Sequence, residues 1–369
     1  MTEYSILAIN PGSTSTKIAC FKGSQMILEK NVSHDSQELA AFEHVSQQLD
    51  YRRSLIEKVL AAENIVLTDF DAVVGRGGGL LPLAGGVYLI DDKLYQDAET
   101  GANGVEHPAN LGPQLAKYFA QEAACPAYVV NPPDTDEYQD LARMTGIKGL
   151  YRTSHLHALN LKETALQHAK KQGESYQDVN YIVCHIGGGI SVSAHQKGKM
   201  IDGIDIVGGE GPMAPTRSGS LSLASVIELL EKGAQISDLK KLCTKTGGLV
   251  SLLGTSDAKA VFEAGQAGNS QARLVWDSMI YQIAKTIGQM AAVLKGNIQA
   301  ILLGGGMVYN DNLVAQLRNY CGWIAPIYTY PGEFEMMAMV NGALRVLTGK
   351  EEVKHYIGQP VWDKQRLSL

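Results

Sequence analysis

The stretch Tyr4–Gly23 reads YSILAINPGSTSTKIACFKG, and it decides the fold. An apolar run enters a turn of Asn, Pro, Gly, Ser and Thr, and an alternating run then leads to a Lys-Gly turn. The stretch Tyr181–Gly198, YIVCHIGGGISVSAHQKG, repeats this order without a gap, with Lys197 in the place of Lys22. Strand-like runs joined by short turns predict a β-meander. The repeat therefore predicts a chain built from two related halves.

Stretches with helical spacing of apolar residues fill the space between the predicted strands, most clearly over 38–60, 157–172 and 273–295. Strands that alternate with helices predict α/β domains. We expect a first domain over 1–155, a second over 156–334, and a final helical stretch, 335–369, that packs back on the first domain. A cleft between the two domains is the expected place for a ligand.

Glycine is enriched, and it is clustered. The chain has 39 glycines in 369 residues, where a usual fraction of about 7% predicts roughly 26. Clusters at 75–79, 187–189 and 304–306 follow short apolar runs. Glycine at a strand end lets the backbone approach a ligand closely, and phosphate is the usual ligand of such turns. No Walker A motif is present and Pro212 interrupts a GxGxxA match at 209–214, so another nucleotide-binding design is expected.

The charge balance and the cysteines exclude several classes of protein. The formal net charge of −6 leaves no basic surplus for nucleic acid. Five cysteines lie far apart without a CxxC pair, which is typical of reduced thiols in a cytoplasmic protein. The sequence shows neither a signal-peptide pattern nor an apolar run of about 18 residues. We therefore expect a cytoplasmic α/β enzyme that binds neither nucleic acid nor membrane.

Two motifs resemble signatures of the acetokinase family. The turn Asn10–Lys17, NPGSTSTK, is similar to the amino-terminal signature of the acetate and butyrate kinases. The stretch from His185, HIGGGIS, through Pro212–Gly219, PMAPTRSG, resembles the second signature. These kinases belong to a superfamily that includes sugar kinases, Hsp70 and actin. The resemblance implies two duplicated actin-like ATPase domains of ribonuclease H-like fold, which flank a cleft.

Three details resemble the butyrate kinase branch of that family: the short chain, the run His157–Asn160, and the run Tyr330–Glu335 followed by Gly342–Arg345. The resemblance implies the reaction butanoyl phosphate + ADP ⇌ butanoate + ATP, with Mg²⁺. The implied partners are a nucleotide, a small carboxylic acid and other copies of the chain, at least as a dimer. Kinases of branched-chain acids, propanoate or acetate remain alternatives, as does a non-catalytic ATP-binding regulator.

Phosphoryl transfer depends on positioning and on cancellation of charge more than on covalent chemistry. Arg76 and Arg217 each stand near glycines, where a guanidinium can grip a carboxylate or a phosphoryl group. The family uses both matching arginines for the substrate and the transition state. The resemblance also implies that His157 and His185 lie near the transferred phosphoryl group.

The resemblance further implies a catalytic carboxylate within Asn131–Glu137. We expect Asp136, with Glu137 as its companion, because butyrate kinases carry an Asp-Glu pair in this region. Asp134 stays open, since Asp-Thr is the pattern of the acetate kinases. Asp136 could instead be the N-cap of the helix that follows.

The family match also assigns a nucleotide site and a metal site. The residues expected at the nucleotide are Ser13, Ser15, Lys17, Gly187, Gly188, Gly189, Asp257, Lys259, Gly304, Gly305 and Gly306. Asn10 and either Glu333 or Glu335 are expected near the metal. Either glutamate could instead be a carboxylate at a helix start.

The expected acid pocket consists of Arg76, Gly77, Gly78, Ala109 and Pro212. Acetate kinases carry bulky residues after the matching arginine, so Gly77 and Gly78 are expected to leave room for a longer acyl chain. Each buried methylene contributes about 0.8 kcal/mol, so two more should favour butanoate over acetate by roughly tenfold. Butanoate, isobutanoate and branched C5 acids are expected to overlap as substrates.

Overall fold

The computed structural model describes residues 3–367. The strands are β1 (Ser5–Pro11), β2 (Ser15–Lys22), β3 (Gln25–Ser33), β4 (Ala72–Gly75), β5 (Val87–Leu89), β6 (Ala127–Val130), β7 (Asn180–Ile186), β8 (Ile190–Gln196), β9 (Lys199–Asp202), β10 (Ala300–Gly305) and β11 (Ile327–Pro331). The α-helices are α1 (Ser36–Ala40), α2 (Leu49–Ala62), α3 (Asp92–Thr100), α4 (Leu111–Ala123), α5 (Asp140–Arg143), α6 (Ala158–Gln172), α7 (Leu223–Glu231), α8 (Ile236–Thr244), α9 (Gly248–Leu253), α10 (Ala258–Gln266), α11 (Ser270–Val293), α12 (Asp311–Cys321), α13 (Glu335–Leu347) and α14 (Lys364–Leu367). Short 3₁₀ helices cover Val45–Gln48, Leu67–Asp69, Pro108–Asn110, Tyr176–Asp178 and Gly306–Tyr309. Within this described part of the chain, no helix has both the length and the apolar character needed to cross a membrane.

The first of two compact units comprises the chain up to Asp136 together with Phe334–Asp363. Its sheet has the strand order β3-β2-β1-β4-β6-β5, in which β1, β2 and β3 are antiparallel and β1, β4 and β6 are parallel. Residues Ile6–Ile9 of β1 are fully buried, since both α4 and α13 pack on the central strands. A strand covered on both faces reads as a continuous apolar run, as this one does.

The second unit comprises Glu137–Glu333 and the short helix α14. Its sheet has the strand order β11-β10-β7-β8-β9, with an antiparallel meander β7-β8-β9 and parallel strands β7, β10 and β11. Tyr181 and Val183 face the core formed with α6, whereas Ile182 and Cys184 face the core formed with α11. The alternation follows from the two-residue period of a strand.

The two sheets confirm the predicted duplication. Read outward from the meander, the order β3-β2-β1-β4-β6 in the first unit corresponds to β9-β8-β7-β10-β11 in the second. The predicted match without a gap is wrong by one residue in the first turn. Four residues separate the paired Pro11 and Thr16, whereas three separate the paired Ile186 and Ile190.

Beyond this turn the two halves correspond in a frame shifted by that one residue. A register shift lies between Cys20 and Phe21 in one half and between Ala194 and His195 in the other, so these two pairs of residues are equivalent. The two Lys-Gly pairs look equivalent in sequence, but they occupy different positions relative to the strands. The first lysine still belongs to β2, whereas Lys197 lies in the turn after β8.

The two units divide after Asp136, whereas the sequence placed the boundary between residues 155 and 156. The segment 137–156 belongs to the second unit because it is bonded to β9 and the loop after it. Arg152 pairs with Asp202 at 3.0 Å and with Glu210 at 2.9 Å. Both partners lie far along the chain from Arg152, so the local sequence does not predict these ion pairs. The stretch that returns to the first unit is Phe334–Asp363, whereas the sequence predicted a helical stretch over 335–369; its helix α13 ends at Leu347.

Candidate active site

Parallel pairing of β1 with β4 gathers three predicted residues in the first unit. Ile9 is in register with Gly75, and the Arg76 N–H donates to the Ile9 carbonyl over 2.9 Å, so Asn10 and Arg76 emerge at the same edge of the sheet. Nδ2 of Asn10 donates to Oε2 of Glu335 over 2.6 Å. Nη2 of Arg76, whose side chain is buried, lies 3.9 Å from Oε1 of Glu335. An amide, a guanidinium and a carboxylate therefore form one cluster.

This cluster distinguishes the two glutamates that the sequence left open. Glu335 contacts Asn10, whereas Glu333 is exposed and belongs to the second unit. Glu335 is also the first residue of α13, where the helix dipole favours a negative charge. The structure thus brings Glu335, and not Glu333, to the predicted metal ligand Asn10.

The turn between β1 and β2 carries the predicted hydroxyl groups. Ser13 is exposed at its tip, and the Gly12 N–H donates to the Ser15 carbonyl over 2.7 Å. Lys17 is paired with Asn10 across the two strands, which places both side chains on the same face of the sheet. Nζ of Lys17 lies 3.7 Å from Glu29, and both side chains are 40% exposed. Such an exposed pair contributes little, so it does not hold Lys17 away from a ligand.

The bare backbone at Gly77 and Gly78 has a packing role that the sequence did not predict. A side-chain carbon added at Gly77 would collide with Val129 and lie 2.7 Å from Cβ of Pro132. The expectation that Gly77 leaves room for an acyl chain is therefore wrong, because the protein itself fills that space. A carbon added at Gly78 would lie 3.0 Å from Cβ of Ala109. Gly78 and Ala109 are thus neighbours, as the predicted acid pocket requires.

The candidate catalytic carboxylates lie on one buried segment after β6. The Asp136 N–H donates to the Leu83 carbonyl over 2.9 Å, and the Leu83 N–H donates to the Asp134 carbonyl over 3.2 Å. Oδ1 of Asp134 also accepts from Asn103 over 2.6 Å. The N-cap of α5 is Gln139, so Asp136 does not cap that helix. A catalytic role of Asp136, or of Asp134 in its place, therefore stays a prediction.

Glu137, the predicted companion of Asp136, serves the second unit instead. Its Oε2 accepts from Nζ of Lys162 over 2.6 Å and from the Met200 N–H over 2.9 Å. The side chains of Lys162 and Glu137 are only 7% and 8% exposed. A buried pair with these additional bonds fixes the start of the second unit on β9.

In the second unit three predicted residues, His157, His185 and Arg217, lie together beside the turn Gly187–Gly189. The ring centroids of His157 and His185 lie 4.3 Å apart. A side-chain carbon at Gly189 would collide with the guanidinium of Arg217, so this guanidinium lies directly over bare backbone. Burial lowers the pKa of Arg217, while the Asp205 carboxylate acts in the opposite direction. The guanidinium stays charged in either case.

Ser191 is a site residue that the sequence did not reveal. This serine is fully buried on β8, and its Oγ lies 2.8 Å from Nδ1 of His157. The backbone N–H of His157 donates to the same oxygen over 3.2 Å. These two bonds fix the orientation of the imidazole. The position of Ser191 just after the glycine turn was the only sequence signal for a role in the site. A serine within a strand does not show which side chain it faces.

The third glycine cluster lies beside the second. Gly304 is in register with His185 through the parallel pair β7–β10. Gly305 has a φ of 100°, and a side chain there would collide with the Ile186 backbone. Only glycine adopts this conformation readily, so the close approach of the two turns depends on it. Gly306, the third member, begins the 3₁₀ helix that follows.

The other residues predicted from the family have structural explanations. Asp257 caps α10 by accepting the Ala260 N–H over 3.0 Å. Lys259 is 82% exposed and lies 3.8 Å from Glu263. Pro212 is buried in the loop that leads to Arg217. Roles of Asp257 and Lys259 at the nucleotide and of Pro212 at the acid therefore stay predictions.

Comparison with known proteins gives the class of protein. Residues 126–320 match the model of the Acetokinase family. A probable butyrate kinase of Enterococcus faecalis is 45% identical over 95% of this chain and 97% of its own length. Butyrate kinase 2 of Clostridium acetobutylicum is 43% identical over 96% of this chain and 99% of its own length. The crystal structure of Porphyromonas gingivalis acetate kinase matches with a TM-score of 0.76 at 18% identity, covering 92% of this chain and 99% of that one, which shows a shared fold.

The fold and the site define a phosphotransferase that acts on a carboxyl group. The chain belongs to the acetokinase family, which confirms the resemblance seen in its two signatures. Its activity is that of a short-chain fatty acid kinase.

Gly189→Ala is expected to lower kcat by roughly tenfold to a hundredfold, because the added methyl group displaces a charged donor from the site. Gly288→Ala on α11 is the control, since this glycine has no predicted role at the nucleotide and a carbon there meets no atom within 4 Å. Its kcat should stay within about threefold of wild type. Steady-state kinetics with thermal melting of both variants give the measurement. An equal loss of kcat in both variants would show that activity does not depend on the position of the Arg217 guanidinium over Gly189.

Proposed function

We propose that the chain transfers a phosphoryl group reversibly between ATP and butanoate, giving butanoyl phosphate and ADP. The observation that carries the proposal is a pair of arginines with buried N–H groups. Nη1 of Arg76 and both Nε and Nη1 of Arg217 are buried without a partner among residues 3–367. Such donors are rare in folded proteins, and an anionic ligand satisfies them. The names of the two curated relatives support butanoate as the acid.

In the proposed reaction a carboxylate oxygen of the acid attacks the terminal phosphorus, and the bond to the ADP oxygen breaks. Arg76 binds the acid, and Arg217 stabilises the charge on the moving phosphoryl group. His157, held by Ser191, and His185 donate hydrogen bonds to the same group. Arg76 belongs to the first unit and Arg217 to the second.

The residues at Asn10 suit Mg²⁺. The amide oxygen of Asn10 and the carboxylate of Glu335 are hard oxygen donors, which this ion prefers. In kinase sites Mg²⁺ is usually held by one or two carboxylates together with substrate phosphates, and this donor set fits that pattern. Among residues 3–367 no group of three or more His, Cys, Asp or Glu side chains is placed to hold a metal. A bound Mg²⁺ would supply neutralisation of phosphate charge.

Trapping of the acyl phosphate with hydroxylamine tests the acid. With ATP, the kcat/KM for butanoate should exceed that for acetate by roughly tenfold, since each buried methylene contributes about 0.8 kcal/mol. The series covers straight acids from C2 to C6 with isobutanoate and isovalerate. If a branched acid or propanoate has the highest kcat/KM, that acid takes the place of butanoate as the proposed substrate. If no acid gives product, the proposed kinase activity is wrong, and a non-catalytic ATP-binding regulator is favoured.

Glu335→Gln is expected to raise the Mg²⁺ concentration needed for half-maximal activity by about tenfold or more, because it neutralises a proposed ligand. Glu333→Gln removes the same charge two residues away from an exposed position and is the control. Its Mg²⁺ requirement should match that of wild type. Mg²⁺ titrations at saturating nucleotide decide the matter. A larger shift in Glu333→Gln would reverse the assignment.

We also propose that the chain forms a homo-oligomer, at least a dimer. Helix α7 supports this, since Leu223, Ile227 and Leu230 are 73%, 47% and 43% exposed. Exposed apolar side chains grouped in this way are typical of protein–protein surfaces. Sedimentation equilibrium at micromolar concentration measures the mass, and a monomer there would contradict the proposal.

We place the reaction in the cytoplasm, where thiols stay reduced. The five cysteines, Cys20, Cys125, Cys184, Cys243 and Cys321, are free in the structure. Burial raises the pKa of Cys20 and of Cys321 to about 11, so both thiols stay protonated and unreactive at neutral pH.

A further inference from the structure

Arg52 is a fully buried arginine behind the turn that joins β1 and β2. Its Nη1 donates to the Gly12 carbonyl over 2.8 Å, to Oγ1 of Thr16 over 3.0 Å and to the Ser15 carbonyl over 3.4 Å. Its Nε and Nη2 donate to Oε1 of Gln48 over 3.1 and 2.9 Å. All of these acceptors are neutral. The arginine is therefore well bonded, yet its charge is not cancelled by any of these contacts.

The neighbouring groups leave this charge in place. Within residues 3–367 Arg52 forms no ion pair with a carboxylate. Burial lowers the pKa of Arg52 to about 10, so it remains protonated at neutral pH. His34 bonds Thr16 over 2.8 Å from the other side, and burial followed by the charge of Arg52 lowers its pKa to about 4. One uncompensated positive charge therefore lies beneath the turn.

A buried charge without a counter-charge is costly, and proteins seldom keep one unless something offsets the cost. Here the guanidinium binds the carbonyls of Gly12 and Ser15 from the interior side. Ser13 and Thr14 are exposed at the tip of the same turn. The carbonyl oxygens, which would repel an anion, are thus held toward the arginine. An anion bound on the outer side of the turn would supply a counter-charge.

We propose that Arg52 is a positioning residue for the nucleotide phosphates: it holds the turn Gly12–Ser15 in its shape and supplies the buried charge that attracts them. This inference rests on the proposed function and on the sequence-based expectation that Ser13 and Ser15 lie at the nucleotide. Arg52 does not touch the ligand itself. Its effect on affinity should grow with the number of phosphates, from AMP to ADP to ATP.

The test compares three single variants of the full chain by calorimetric titration with ATP, ADP and AMP. Arg52→Gln removes the charge and keeps a hydrogen-bonding side chain. Arg52→Lys keeps the charge and loses the planar fork. Arg53→Gln is the control, because Arg53 carries the same charge on the next residue but is 35% exposed and pairs with Asp50 at 3.2 Å.

Arg52→Gln should lower the affinity for ATP by about tenfold or more and the affinity for AMP by less than about twofold, because a charge in the poorly screened interior acts most on the ligand with the most phosphates. Arg52→Lys should keep the wild-type ratio of ATP to AMP affinity even if its melting temperature falls. Arg53→Gln should match wild type for all three nucleotides. A purely structural arginine would instead weaken the binding of ATP and of AMP equally in Arg52→Gln and in Arg52→Lys, whether or not stability falls. That result would overturn the inference.

If Arg52→Gln does not fold, the double variant Arg52→Met with Gln48→Met takes its place, because it removes the charge together with one of its partners. The same loss in the ratio of ATP to AMP affinity is expected, and an unchanged ratio would overturn the inference. Failure of the proposed function is recognised separately. In that case wild type itself makes no acyl phosphate, whereas an active wild type with an unaltered Arg52→Gln ratio refutes only the role of Arg52.

Discussion

Parallel pairing of β1 with β4, and of β7 with β10, is the constraint on which the candidate site residues of each unit depend. In a parallel pair the carboxyl ends of the two strands lie at the same edge of the sheet, and ligands bind there. The register of Ile9 with Gly75 brings Asn10 beside Arg76. The register of β10 on β7 likewise brings Gly304 beside His185. The meanders supply the turns, but these registers decide which side chains meet.

Such an edge needs backbone without side chains, and this accounts for a part of the glycine surplus that phosphate binding does not explain. A carbon at Gly75 would collide with the Gly112 carbonyl at the start of α4, and a carbon at Gly112 would collide with the carbonyl of Arg76. The two glycines let α4 lie against the backbone of Arg76. Gly77 makes similar room for Val129. Part of the surplus thus holds the strand ends in place, and another part forms the turns.

The sequence predicted what local patterns encode. Apolar runs that end in glycine predicted the strands, the duplication and the turns after β1 and β7. These features are predictable because burial of a strand and the conformational freedom of glycine are local properties. The missing residue in the second meander was not visible, since Lys-Gly fits a two-residue turn in more than one position. The end of the first unit was also hidden, because the bond between Glu137 and Lys162 forms only in the folded chain.

Neighbouring residues of the same type show the limit most clearly. Arg52 is fully buried and Arg53 is 35% exposed, although both lie on α2 and nothing in the sequence separates them. Glu333 and Glu335 are two residues apart, and only the start of α13 decides which one contacts Asn10. For the two arginines the outcome depends on the rotation of α2 against the sheet, and for the two glutamates it depends on where α13 begins. Both are set by tertiary packing.

The return of α13 to the first unit has a consequence for synthesis of the chain. Asn10 and Glu335 are 325 residues apart, so the ribosome has made the segment Glu137–Glu333 before α13 can cover β1, β4 and β6. Until then the side chains of Ile6 and Ala8, fully buried in the finished protein, lack their cover. The second unit is meanwhile nearly complete in sequence and can fold first. A polypeptide released early would therefore display an apolar sheet face, which marks it for chaperones and proteases.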